Sequence, residues 1–147
     1  MTYTIKELLR IEVAPALGCT EPVAIALAAA AAASLLPDEK PEMIEIWVDP
    51  NIYKNGIAVT IPGTPGLSGL DLAGAIGALG GDPNLRLEVL APVDNVIAEK
   101  ARRFVAADKV KVNLLADHKG LYIKAVVVET VFHPLSAFHI FQALDKK

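Results

Sequence analysis

The sequence predicts a mixed α+β fold: a single compact domain, residues 1–147, in which a central buried helix rich in alanine packs on a small sheet. Three observations carry that expectation. Helical and strand periodicities alternate along 147 residues without a repeat of fixed period, and that length suits one domain with its own core. Apolar residues make up 53% of the chain while aromatics make up only 5%, so Ala, Val, Leu and Ile must build the core. The run Val23 to Leu36 is apolar on every side of a helix, which places it at the centre.

The elements follow in order. Thr4 to Val13 reads as a short first helix, with Ile5, Leu8, Leu9 and Ile11 near helical spacing. Pro15 and Gly18 break it. Thr20-Glu21-Pro22 opens the second helix, a polar start with proline in the first turn, and the helix ends near Leu36 before Pro37. Met43 to Val48 reads as a strand, Asp49 to Gly56 as a polar irregular stretch with room for one helical turn, and Ile57 to Ile61 as a short strand. Pro62 to Gly69 is a loop rich in Gly and Pro. Leu70 to Leu79 reads as a helix of small residues closed by Gly80-Gly81. Leu85 to Leu90 reads as a strand, and Pro92 to Ala107 as an amphipathic helix with Asp94 near its start and Arg102 and Arg103 near its end. Val110 to Leu114 and Leu121 to Val128 read as strands joined by the turn Asp117 to Gly120, and Pro134 to Leu144 as a last helix.

Composition excludes several classes. A formal net charge of −3 without a basic stripe gives nucleic acid no electrostatic footprint. The apolar run around Val23 is shorter than the roughly 20 residues that span a bilayer, so no membrane partner is expected. One cysteine permits no intrachain disulfide, and the first ten residues do not read as a signal peptide. A cytoplasmic domain is expected. Its mean hydropathy of +0.42 suggests a surface that pairs with another chain.

The candidate chemistry starts at Cys19, immediately before a long helix. Free N–H groups and the dipole there stabilise a thiolate, which could act as base, nucleophile or metal ligand, although a lone cysteine is more often a small packed residue. Glu21 is either a helix-start carboxylate or a site acid. Asn51, Lys54 and Asn55 cluster in one polar stretch that could receive a carboxylate, or form an ordinary solvated turn. The Gly63 to Gly69 loop could present N–H groups to an anion, but it follows no nucleotide-binding pattern. His118, His133 and His139 show no metal-ligand spacing.

The stretch Glu12 to Ala26, with Gly18-Cys19-Thr20-Glu21-Pro22 at its centre, resembles the signature of the L-cysteine desulfidase and L-serine dehydratase-like family (the iron–sulfur serine dehydratase alpha type). Asn51 to Gly56, Ile61 to Thr64 and Ala75 to Gly81 follow in that family's order. The resemblance covers roughly Leu8 to Val128 and corresponds to the family's N-terminal portion. It implies a subunit or fragment of a [4Fe–4S]-dependent amino-acid β-eliminating lyase, converting L-serine or L-cysteine to pyruvate and ammonia, and inactive alone. It implies Cys19, Glu21 and Lys54 as catalytic residues, and Thr20, Asn51, Asn55, Gly63 and Thr64 as substrate-binding. The [4Fe–4S] cluster belongs to the complete enzyme, with Cys19 at most a fourth ligand and no cofactor expected for this chain alone. The implied partners are a small amino-acid substrate and either further copies of the chain or a cysteine-bearing second subunit. The alternative is a non-catalytic amino-acid-binding or interaction domain derived from that family. Two departures stand against the pattern: a single cysteine, where a cluster usually takes three or four, and Asp49-Pro50 where a Ser-Gly pair is expected.

Overall fold

A computed structural model describes residues 3–36, 41–129 and 138–143, with backbone only for the last stretch. Helix α1 spans Ile5–Glu12 and begins with a reciprocal capping box: Thr4 accepts from the Glu7 backbone, and Glu7 accepts from the Thr4 backbone. Helix α2 spans Thr20–Ala33, with eight of its residues buried. Then come strand β1 (Pro41–Val48), helix α3 (Pro50–Gly56), helix α4 (Leu70–Gly80), a 3-10 helix at Pro83–Glu88, helix α5 (Asn95–Ala106) and strands β2 (Val110–Leu114), β3 (Ile123–Glu129) and β4 (Phe138–Ala143).

The sheet is mixed, in the order β2-β1-β3-β4. Strand β2 runs parallel to β1, so α3, α4 and α5 lie in the crossover between them, while β3 is antiparallel to both β1 and β4. Alternation then sorts the faces. Ile44, Ile46 and Val48 of β1 and Ile123, Ala125 and Val127 of β3 are buried under the helices. Trp47 and Lys124 sit on the opposite face, the ammonium 4.7 Å from the ring centroid.

The core confirms the expected α+β arrangement. Alanines let α2 approach its neighbours closely. A Cβ on Gly77 of α4 would lie 2.2 Å from the carbonyl oxygen of Ala26, so only glycine permits this helix spacing. No helix among the described residues is long and apolar enough to cross a membrane.

Four local readings are corrected. Ile57 to Ile61 is not a strand, because it finds no ladder partner beyond an isolated bridge between Thr60 and Ser68. Leu85 to Leu90 is not a strand either: Asp82 accepts from the Asn84 backbone and Pro83 follows, which starts a 3-10 helix. Strands β2 and β3 do not form a hairpin, since β1 lies between them. Phe138–Ala143 is a strand paired with β3 rather than part of a helix, and the other ends of that expected helix, 134–137 and Leu144, lie outside the described residues.

The stretch from Asp49 is a real helix with a structural purpose. Asp49 is fully buried at the end of β1. Its Oδ1 accepts from the backbone N–H groups of Asn51 (2.8 Å) and Ile52 (3.2 Å), and its Oδ2 accepts from that of Tyr122 (2.8 Å). One carboxylate thus starts α3 and ties it to the entry of β3. The spacing of α3 buries Ile52 and Gly56 and leaves Asn51, Lys54 and Asn55 on its exposed side.

Candidate functional site

Gly18 turns the chain into α2. Its φ of +81° is left-handed, and a Cβ there would lie 2.6 Å from Pro62 Cγ. The turn before Cys19 therefore packs directly on the loop that contains Gly63 and Thr64. In that loop the Thr64 hydroxyl donates to the Ile61 carbonyl (2.7 Å) and accepts from the Leu67 backbone (3.2 Å), so it braces the loop itself.

Cys19 is the N-cap of α2, but its side chain caps nothing. Its Sγ donates instead to Glu21 Oε2 at 2.9 Å. The Thr20 hydroxyl donates to the same oxygen at 3.3 Å. From α3, Asn55 Nδ2 donates to the other oxygen, Glu21 Oε1, at 3.4 Å. Glu21 is thus a carboxylate fed by three side-chain donors, one of them 34 residues away. Both Cys19 and Glu21 are half-buried, so solvent and small molecules reach them.

The protonation states follow from this geometry. The thiol's hydrogen bond, then Glu21's own backbone N–H and the Thr20 and Asn55 donors, hold the Glu21 carboxyl below its usual range. The same hydrogen bond raises the Cys19 thiol, with partial desolvation and the neighbouring negative charge acting the same way. The N–H groups of Thr20 and Glu21 do pull the thiol down, as its place at a helix start predicts, but the carboxylate outweighs them. The expected resting thiolate is therefore replaced by a neutral thiol beside an ionised carboxylate.

Of the other candidates, Asn51 and Lys54 lie on α3 with Asn55, but neither side chain makes a hydrogen bond among the described residues. A cavity of about 260 Å³ lies elsewhere, lined by Tyr53, Ile57, Leu70 and Val110 among others, and includes neither Cys19 nor Glu21. Among the described residues no group of three or more His, Cys, Asp or Glu side chains is placed to hold a metal ion. Sequence reasoning missed the Asp49 anchor; the signal was an aspartate followed by proline, which reads as an N-cap with proline at the first helical position.

Comparison with known proteins corrects the family assignment. The chain is 59% identical over 128 residues to a UPF0597 protein of Desulfatibacillum aliphaticivorans, which is 86% of this chain and 29% of that one. It is 58% identical over 125 residues to a UPF0597 protein of Desulforapulum autotrophicum (84% and 28%) and 53% identical over 127 residues to one of Desulfotalea psychrophila (86% and 29%). The chain thus spans less than a third of the length of these relatives. No family model and no solved structure matches it. Relatives this similar are named as UPF0597 proteins, not as serine dehydratases or cysteine desulfidases. The resemblance drawn from Glu12 to Ala26 and from the segments that follow in order does not hold as a family assignment. With it go the expected iron–sulfur lyase fragment and the alternative of a binding domain derived from that family.

Proposed function

We propose that this chain carries a nucleophilic thiol with its own base: Cys19 the nucleophile, Glu21 the base and Asn55 the group that orients the base. The supporting observation is the hydrogen bond from Cys19 Sγ to Glu21 Oε2 at 2.9 Å, with Asn55 on the other carboxylate oxygen. A nucleophile within hydrogen-bond reach of a base that a third group orients is the general pattern of activated nucleophiles. The sulfur stays protonated at rest. When the carbonyl carbon of a small polar molecule approaches, the sulfur lone pair forms the C–S bond, the C=O π pair moves onto the carbonyl oxygen, and the thiol proton passes to Glu21 Oε2. Thr20 shares that oxygen and steadies it. Gly63 and Thr64 form the neighbouring loop, and Asn51 and Lys54 the exposed flank of α3 from which polar groups of the substrate are met. A single free thiol suits a reducing compartment, and we place the chain in the cytoplasm on that ground.

Alkylation by iodoacetamide as a function of pH tests this reading. If Glu21 takes the proton, the reactive species is thiol plus carboxylate, which dominates between the two titrations. The rate should then be level across neutral pH. In Glu21→Gln it should climb about tenfold per pH unit, as an unassisted thiol does when its thiolate fraction rises. Equal slopes in the two proteins contradict the assignment of Glu21 as base.

A further inference from the structure

Helix α1 is built to be covered, and nothing among the described residues covers it. Ile5, Leu8 and Leu9 fall on one stripe at helical spacing, Ile11 extends it, and Glu12 interrupts it only at the last residue; Lys6, Glu7 and Arg10 occupy the other side. Ile5 is 78% exposed and Ile11 63%, with Tyr3, Leu8, Leu9 and Val13 also exposed, and no residue of α1 is buried. Eight residues are too few for a stable helix in water, where roughly 12–15 are marginal even for favourable sequences. The capping box fixes where α1 starts but supplies no burial. A helix with a sequence-encoded start and an unburied apolar stripe has no covering partner among the described residues.

The relatives are longer than the part they share with this chain. The match spans 29% of the Desulfatibacillum aliphaticivorans protein, so roughly 70% of that polypeptide lies outside the match. We infer that the Ile5–Leu8–Leu9–Ile11 stripe docks in an apolar groove of polypeptide corresponding to that remaining portion, as an amphipathic helix in a groove. The occupant is a partner of this chemistry rather than a second copy of the chain. The inference stands independently of the Cys19–Glu21 reading.

The test uses the full chain alone and the full chain grafted in place of the matching segment of the Desulfatibacillum aliphaticivorans relative, each with and without the double substitution Leu8→Asp, Leu9→Asp. In the chain alone the substitution should leave the thermal midpoint unchanged, since α1 has no buried residue among the described ones, and hydrogen exchange over Ile5 to Glu12 should be fast. In the chimera exchange there should slow by roughly tenfold or more, and the double substitution should lower the midpoint and restore fast exchange. Fast exchange in a folded chimera overturns the inference, as does a chimera that fails to fold where the parent relative folds. So does concentration-dependent dimerisation of the chain alone that the double substitution abolishes, because the occupant is then a second copy.

Discussion

Cys19 and Asp49 show how one side chain can be read correctly in type and incorrectly in state. Cys19 stands where a helix start should acidify a thiol, and the N–H groups there do act in that direction. The nearby carboxylate reverses the result, because ionising the thiol gives up its hydrogen bond to Glu21 and, to a smaller extent, sets a second negative charge beside the carboxylate. That carboxylate is two residues away in sequence, yet its rotamer and its Asn55 contact depend on α3 packing against α2, which no local pattern reveals. The stability consequence has two signs. Glu21 titrates below its ordinary value in the folded protein, so its contribution is present above the ordinary carboxylate range and is lost as pH falls through the folded value. Cys19 titrates above its ordinary value, so its contribution is present below the ordinary thiol range and is lost as pH rises through the folded value. Cys19→Ala should remove the alkaline loss and shrink the acidic one, read as the difference in urea midpoint between the two proteins across pH. Asp49 is the opposite case: buried, with three backbone donors and no part in the proposed chemistry. Asp49→Ala removes a helix cap and leaves the part-buried N–H of Tyr122 without its acceptor. It should cost about 3 kcal/mol in urea unfolding, and Asp49→Asn should cost less because it keeps an acceptor.

Among the elements, most of those that bury a face were legible, and so was α1 from its spacing and cap although it buries none; strand β4 was not. Helices α2, α4 and α5 and strands β1, β2 and β3 fall where apolar spacing placed them, because their buried faces dictate that spacing. Leu85 to Leu90 alternates like a strand, but its start is capped by Asp82 and the chain turns within it, with Arg86 at a φ of 52°. Strand β4 owes its conformation to β3 rather than to its own residues. The closest helix contact, Gly77 on Ala26, predicts that Gly77→Ala forces α2 and α4 apart and costs about 2 kcal/mol or more in thermal or chemical unfolding. A near-neutral result would show that the helices can separate without loss.

At the scale of the molecule, the described residues form a helical layer over one face of a four-stranded sheet, with a thiol and a carboxylate at the start of its central helix. The sequence correctly predicted the α+β class with an alanine-rich helix packed on a small sheet, since a chain poor in aromatics and rich in alanine packs helices closely around small residues. The family assignment drawn from the motifs did not hold against the similarity found over more than a hundred residues. The central claim is that the Cys19 proton rests on sulfur and is held by Glu21. Cys19 is the only cysteine, so infrared spectroscopy of the full chain reads a single S–H stretching band. At neutral pH that band should be present and shifted to low frequency by the strong acceptor, and in Glu21→Ala it should return toward the position of a free thiol. Absence of the band at neutral pH, or the same band position in both proteins, would contradict the account.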